Sequence, residues 1–565
     1  MDDISIVLCG EAGQGIQTVE KIFTKIVKKA GFNVFSTKEY MSRVRGGSNS
    51  TQIRISSKPV SAYVDRIDIL IPLSKEALEH VKKRISKKTL IIGEDKYIKN
   101  TKTQNKIEIP ITQLAKSIGN IIYSNTIAVG LLSSICGINK TILNKTIEEY
   151  FEKKKKELVK NNIKAANKGY ETCFEHIKKD KIKKIISPPN KTNNNIILNG
   201  AETISLGAIA GGCNFISSYP MSPSTGVLTF LSKHSEEFNI IAEQAEDEIS
   251  AINMVLGAWY AGARGMVTTS GGGYALMTEG VSLAGMIESP VVIHLGQRPA
   301  PATGLPTRTE QGDLEHSIYS SHGEFPKIIF APGTLEDGFY LTQKAFNLAD
   351  KYQVPVYILT DQYFIDSFYD IQKLDIGKIK NTNHFIKTDK DYKRYKITKN
   401  GISPRGIPGY GDGLVCVDSD EHDEEGRITE NSETRIKMVD KRLRKLTEIE
   451  KEIIPPELVG KKDYKILVIG WGSTYHIIKE AIENIGKKDI AFLHFKQVFP
   501  LHSETINYLN KAEKTIIVEN NATSQFAKLI RQQTGYDIQN KILQYDGLPF
   551  SVETIIKEIQ KIGGI

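Results

Sequence analysis

The segment Glu248-Ile-Ser-Ala-Ile-Asn-Met-Val-Leu-Gly-Ala-Trp-Tyr-Ala261, then Gly262, then Gly265-Met-Val-Thr-Thr269, reads as a helix that hands over to a strand. The alternation repeats downstream. Pro290-Val-Val-Ile-His294 and Val354-Pro-Val-Tyr-Ile-Leu359 are apolar, strand-like runs, each preceded by a helical segment. Helices alternating with apolar strands predict a parallel sheet covered on both faces. Residues 196–367 are therefore expected to form one α/β unit.

The chain starts with a second such unit. Ile4-Ser-Ile-Val-Leu8 reads as a strand, Gly10-Glu-Ala-Gly-Gln-Gly15 as a turn, and Ile16, Val19, Ile22, Phe23, Ile26 and Val27 recur at helical spacing. The helix N-terminus after such a turn can hold an anion, and a purely structural tight turn is the alternative. The dinucleotide fingerprint G-x-G-x-x-G is not matched, and Ser36-Thr-Lys38 stands where a ribose-binding acid belongs, which argues against an NAD site. Arg43-Val-Arg-Gly-Gly47 puts two guanidinium groups beside loop amides, an arrangement for a phosphate or for a surface turn. A lysine-rich helical stretch from Phe151 to about Ile186 leads into Ser187-Pro-Pro-Asn-Lys-Thr-Asn-Asn-Asn195, whose composition is that of a linker.

Residues 368–460 are polar and loop-rich and are expected to form an irregular arm or partner-contacting insertion. Tyr464-Lys-Ile-Leu-Val-Ile-Gly470 through Thr515-Ile-Ile-Val-Glu519 opens a third α/β domain. The expectation is an α/β chain of three doubly wound domains, 1–185, 196–367 and 461–565, with a linker at 186–195 and the arm at 368–460.

Composition narrows the function. No run of eighteen apolar residues appears in the 565, so no membrane-spanning helix is predicted. The acidic start turns straight into a strand, unlike a signal peptide, and a cytoplasmic protein is expected. The net charge of +9 sits in lysine runs such as Lys153-Lys-Lys-Lys156 and Lys181-Ile-Lys-Lys184. Without interleaved arginines and aromatics these read as solvated helical faces rather than a nucleic-acid surface, with mild attraction of an acidic partner as the alternative. Cys9, Cys136, Cys173, Cys213 and Cys416 form no C-x-x-C pair, so neither a zinc site nor a cluster-binding run is encoded. Electrons released in a redox reaction would have to leave through another chain.

Three segments carry candidate chemistry: Tyr219-Pro-Met-Ser-Pro-Ser-Thr225, Glu243-Gln-Ala-Glu-Asp-Glu248 and Gln297-Arg-Pro-Ala-Pro-Ala-Thr-Gly-Leu-Pro-Thr-Arg-Thr-Glu-Gln-Gly-Asp313. Glu248 is either a helix-start acid facing the macrodipole or a carboxylate that protonates a ring nitrogen, with Glu243 and Glu246 as competitors. Ser222, held between Pro220 and Pro223, offers a rigid hydroxyl to a substrate carboxylate or caps a turn. Arg298 directly follows a strand end, where ligands of open α/β sheets sit; it could grip a carboxylate bidentately or form an exposed salt bridge.

These segments resemble the α chain of the 2-oxoacid:ferredoxin oxidoreductases, thiamine diphosphate enzymes. Residues 1–185 resemble the family's γ domain, marked by Gly10 to Gly15 and Arg45-Gly-Gly47, and residues 196–367 its pyrimidine-binding domain. The end of the chain, with Val518-Glu-Asn-Asn521 and Asp546-Gly-Leu-Pro-Phe550, resembles its transketolase C-terminal-like domain. Such a γ–α fusion looks like that of two-subunit enzymes, often of the 2-oxoglutarate type. The resemblance implies that Glu248 is catalytic and meets N1′ of the aminopyrimidine, with Tyr219 and Pro220 lining the cofactor. Ser222 and Arg298 would contact the substrate carboxylate, and Thr307 and Arg308 would lie in the loop linked to substrate choice. Gly13, Gly15, Arg43 and Arg45 become candidates for coenzyme A phosphates.

No metal ligand is expected on this chain: a β subunit would bring the diphosphate site, Mg²⁺ and a [4Fe-4S] cluster, ferredoxin would accept the electrons, and the assembly would be a heterotetramer. Gly411-Asp-Gly413 imitates the start of the magnesium–diphosphate motif, but no Asn-Asn pair follows at the required spacing, and it reads as a loop. The chain departs from the family's usual residues at Ser222, Gly271-Gly-Gly-Tyr274, Pro299-Ala-Pro-Ala302, Ser524 (commonly Gly) and Leu548. Those departures motivate two other readings, a retired scaffold or the same chemistry on pyruvate or a branched-chain 2-oxoacid. A nicotinamide dehydrogenase using the first domain is a third.

Overall fold

The computed structural model describes residues 3–11, 15–42, 47–99, 101, 103, 105–179 and 194–564. The α/β class holds: among these residues the strands form sheets of eight, seven, five and two. The chain divides into two compact units, Met1–Leu198 with Ser367–Lys373, and Asn199–Asp366 with Leu374–Ile565.

In the first unit the strand Asp3–Glu11 is central, pairing parallel with Ile69–Pro72 and antiparallel with Ser48–Ser56. Its near-continuous apolar run is covered on one face by the helix Ile16–Lys29, which buries Ile22, Phe23, Ile26 and Val27. The lysine-rich helix Lys156–Lys178 turns Ala165, Ala166, Gly169 and Cys173 inward, while Lys153 to Lys156 are exposed, as a solvated face requires. Lys181 to Lys184 and the linker residues 187–193 lie outside the described residues. One boundary is corrected. Residue 368 was expected to open the irregular arm, yet Phe368–Ile371 is a strand of this first sheet, antiparallel to Asn33–Glu39, with alternate residues buried.

The second unit is built on the strands Phe215–Ser218, Ile241–Gln244, Gly265–Thr269, Val291–Gln297, Ile328–Phe330 and Pro355–Asp361, all mutually parallel. Parallel order puts every strand's C-terminal end, and the loop that leaves it, on one edge of the sheet. The five-stranded sheet, centred on Ile466–Trp471, belongs to the same unit, and Gln497–Phe499 crosses over to pair antiparallel with Ile328–Phe330. Ser524 has φ of +50° at the start of the helix Gln525–Thr534, a left-handed position that costs a side chain about 1–2 kcal/mol and favours glycine.

The arm is more ordered than its composition predicts. It contains an eighteen-residue helix, Ser432–Ile449, that buries Met438, Lys441, Arg442 and Lys445. The cause is Glu288, itself 1% exposed: Lys441 Nζ lies 2.5 Å and Lys445 Nζ 2.6 Å from its carboxylate, and Arg394 donates to its carbonyl at 2.8 Å. Although burial alone opposes ionisation, Lys445, Lys441 and Arg394 hold this carboxyl well below the usual range. The two ammonium groups would be uncompensated without it. Glu288→Ala is expected to cost about 3–5 kcal/mol, read as a markedly lower Tm in thermal unfolding; an unchanged Tm would show that the arm is held by other contacts.

Candidate active site

The three candidate segments, and the Gly271 turn with them, leave the C-terminal edge of the seven-stranded sheet. The loop after Phe215–Ser218 carries Tyr219, Pro220 and Ser222; the turn after Ile241–Gln244 leads into the helix Glu248–Tyr260. Asp247 caps that helix, its carboxylate accepting from Ser250 N at 2.8 Å, which leaves Glu248 free to turn inward. The strand Gly265–Thr269 runs into the helix Gly271–Met286, and Val291–Gln297 ends at Arg298.

Burial separates the three competing carboxylates. Glu243 and Glu246 are exposed, and Glu246 accepts from Ser250 Oγ at 3.0 Å. Glu248 is 3% exposed and its Oε1 has no hydrogen-bond partner. Burial raises its pKa, a hydrogen bond from its own backbone N–H opposes the rise, Asp247 adds to it and Arg298 opposes it, and on balance Glu248 holds its proton more tightly than an exposed glutamate does. The first turn of the Gly271–Met286 helix comes so close that a Cβ at Gly273 would lie 2.3 Å from Glu248 Oε1. A side chain there would press on Glu248 Oε1 and Thr269 Oγ1.

Arg298 is 8% exposed; its Nη1 donates to the Ser222 carbonyl at 2.7 Å, and its Nε is buried without a partner. Two of the predicted site residues are thus brought together, with Pro223 buried and the Ser222 side chain exposed beside them. Tyr219 is 40% exposed and Pro220 half-buried.

The segment carrying Thr307 and Arg308 is held from outside. Gln311 N donates to Asn520 O at 2.7 Å, Asn520 N to Gln311 Oε1 at 3.0 Å, Asn521 Nδ2 to Gln311 O at 3.0 Å, and Gln311 Nε2 to Trp471 O at 2.9 Å. Thr309 N donates to Gly547 O at 3.1 Å. The two C-terminal motifs therefore act as a clamp on the loop that runs past Arg298, with Thr307 buried and Arg308 half-buried along it. Glu519 is fully buried because Phe526 N, Ala527 N and Asn521 Nδ2 all donate to it.

Asp313, at the end of the same segment, was not singled out by sequence reasoning. It is 6% exposed, its Oδ2 has no partner, and a Cβ at Gly271 would lie 2.5 Å from either carboxylate oxygen. Burial, helped by Glu310 and opposed by Arg298, pushes its pKa up to about 6. Because the folded value lies above the unfolded one, the associated stability is full below about pH 4 and is lost as pH rises through about 6. Ionisation at neutral pH then costs about 3 kcal/mol. Asp313→Asn is expected to raise Tm near neutral pH, with the gain vanishing by about pH 4; a gain independent of pH would show that the carboxylate's charge is not the cause.

Three other sequence features have defined places. Gly15 has φ of +73° and precedes the helix Ile16–Lys29, with Asn125 against it, whereas Gly13, Arg43 and Arg45 lie outside the described residues. Gly411 and Gly413 close on the strand Phe385–Thr388: Asp412 N donates to Thr388 O at 2.9 Å and Gly413 N to Thr388 Oγ1 at 3.1 Å, so close backbone approach accounts for Gly-Asp-Gly. Among the described residues no three His, Cys, Asp or Glu side chains are grouped to hold a metal ion, and no helix is long and apolar enough to cross a membrane.

Residues 206–441 match the family model described as pyruvate flavodoxin/ferredoxin oxidoreductase, thiamine diphosphate-binding, and residues 5–172 match the pyruvate ferredoxin/flavodoxin oxidoreductase model. Fold and family models thus define an α/β oxidoreductase chain of the thiamine-dependent type. A 2-oxoacid:ferredoxin oxidoreductase subunit alpha of Sulfolobus sp is 30% identical over 99% of this chain and 97% of its own length. The 2-oxoglutarate synthase subunit KorA of Archaeoglobus fulgidus is 31% identical over 58% of this chain and 88% of its own. A structure of 2-oxoglutarate:ferredoxin oxidoreductase from Magnetococcus marinus, with 2-oxoglutarate, coenzyme A and succinyl-CoA bound, superposes with a TM-score of 0.91 at 28% identity, covering 99% of both chains. The chain belongs to the 2-oxoacid:ferredoxin oxidoreductase family, among its alpha subunits.

Proposed function

We propose that this chain is the α subunit, with a fused γ-like domain, of an enzyme that oxidatively decarboxylates 2-oxoglutarate to its acyl-CoA and passes the electrons to ferredoxin. The observation that carries this reading is the buried Glu248 carboxylate, its Oε1 without a hydrogen-bond partner and coupled electrostatically to Arg298. These residues fit the pyrimidine end of thiamine diphosphate: an orphaned acid oxygen awaits a ring nitrogen, and Gly273 puts no side chain against it. When bound, the cofactor supplies the nucleophilic carbon and the electron sink for decarboxylation. Glu248 Oε1 holds a proton toward N1′, a role suited to its raised pKa. Arg298 grips the 2-oxoacid carboxylate through its free guanidinium edge while Ser222, whose carbonyl it already engages, presents its hydroxyl. The clamped loop carries Thr307 and Arg308 toward the distal end of the substrate, where Arg308 would meet a second carboxylate. Gly15, with Gly13, Arg43 and Arg45, would serve coenzyme A.

A separate β subunit completes the enzyme with the diphosphate contacts, Mg²⁺ and [4Fe-4S], in a cytoplasmic heterotetramer. The Magnetococcus marinus likeness favours 2-oxoglutarate over pyruvate and branched-chain 2-oxoacids. The test is coenzyme A-dependent viologen reduction by the chain, anaerobically co-purified with its β partner, across pyruvate, 2-oxobutyrate, 2-oxoisovalerate and 2-oxoglutarate. Highest kcat/KM is expected on 2-oxoglutarate. Silence on all four, with cofactor and cluster present, would leave the retired scaffold.

A further inference from the structure

We infer that Asp313 is a positioning residue for the substrate carboxylate: buried against the Gly271 turn and bonded through its backbone to Gln297, the neighbour of Arg298, it takes up a proton from solvent when the 2-oxoacid binds and so yields the guanidinium to the substrate. The inference rests on the assignment of Arg298 as the carboxylate grip.

The geometry gives the reason. Around the first turn of the Gly271–Met286 helix stand three buried polar atoms without partners, Glu248 Oε1, Ser270 Oγ and Asp313 Oδ2; Arg298, whose Nε is likewise without one, directly follows Gln297, whose Oε1 accepts from Asp313 N at 3.0 Å. Gly271 abuts the Asp313 carboxylate and Gly273 abuts Glu248, so the two acids flank one glycine turn. Arg298 couples electrostatically to both, and each opposes the loss of its charge. The other charges near Asp313 are accounted for. Glu310, in the same loop, raises its pKa, and Asp247 acts on Glu248. Arg308 lies along the loop, and the first turn of the glycine helix carries no acid. On the helix that follows, Leu314–Tyr319, His316 is held below its usual pKa by burial, and Glu315 is engaged by Lys528 of the Gln525–Thr534 helix at 3.1 Å.

Arg298 is therefore the cation that an ionised Asp313 and an arriving substrate carboxylate both seek. Two carboxylates competing for one guanidinium in a water-poor site are unfavourable, and Asp313, whose pKa is pushed up to about 6, is the one that a proton from solvent neutralises. Binding of the substrate anion raises that pKa further, so binding above about pH 6 draws one proton onto Asp313. Before substrate arrives, the Asp313 carboxylate balances part of the Arg298 charge.

The test uses the co-purified complex. KM and kcat for 2-oxoglutarate are measured from about pH 5 to about pH 8 for the native enzyme, Asp313→Asn and Arg298→Ala. Native KM should rise above about pH 6, approaching tenfold per pH unit at strong coupling, while the Asn variant shows a flat KM across the range. If Arg298→Ala raises KM but Asp313→Asn keeps the native slope, the inference falls and the grip stands. If Arg298→Ala leaves KM unchanged, the grip is wrong and the inference goes with it. A second measurement works on the native complex alone: calorimetric binding of 2-hydroxyglutarate, a non-reacting analogue, in buffers of different ionisation enthalpy. Net proton uptake near pH 7 supports the inference; its absence overturns it.

Discussion

Glu248→Gln is expected to lower kcat by about 10²- to 10⁴-fold, the usual contribution of a positioned acid–base group, with a much smaller change in KM for the 2-oxoacid. Glutamine preserves the shape beside Gly273 and the packing of a residue that is 3% exposed, so the loss would be chemical rather than structural. It removes the proton held toward the cofactor, because Glu248 is the one of the three competing glutamates that is buried with a raised pKa, while Glu243 and Glu246 are exposed. Tm should not fall, since the variant replaces a buried acid with no hydrogen bond to Oε1 by a neutral amide. Steady-state viologen reduction with thermal unfolding on the same preparations is the check. Near-native turnover would remove Glu248 from the mechanism.

Arg298→Ala is expected to reduce kcat/KM for the 2-oxoacid by about 10- to 150-fold, mostly through KM, corresponding to the roughly 1.5–3 kcal/mol of a charge-assisted hydrogen bond. Two effects contribute. The substrate loses its cationic partner, and the Ser222 carbonyl loses the donor that fixes the 219–224 loop. Arg298→Lys separates them: it keeps the charge but loses the planar fork, so an intermediate KM is expected. A KM near the native value in both variants would place the carboxylate elsewhere.

Much of this architecture is legible in the residues themselves. The helix that opens at Glu248 is read to within a residue of its observed end at Tyr260, and Arg298 is read at the exit of a strand that indeed ends at Gln297. Local periodicity and strand-end logic suffice for such features. What escapes is long-range. Phe368–Ile371 reads as loop until it pairs with a strand more than three hundred residues earlier in the chain. The polar, loop-rich arm hides the helix Ser432–Ile449, whose Lys441 and Lys445 are drawn inward by Glu288, which stands 153 residues before Lys441 in the chain. Asp313 stands in a segment quoted for its chemistry, yet its interest comes from burial against Gly271, which no spacing reveals. The Val518-Glu-Asn-Asn521 motif is visible as a resemblance, but its work as a clamp on Gln311 appears only in the hydrogen bonds.

The central claim is that this chain supplies the acid that activates thiamine diphosphate. The most direct measurement is the rate of hydrogen–deuterium exchange at C2 of the cofactor, bound to the complex without substrate, for native chain and Glu248→Gln. The account predicts that exchange in the variant slows by about 10²-fold or more. Equal rates in the two complexes would contradict it, whatever the variant does to turnover.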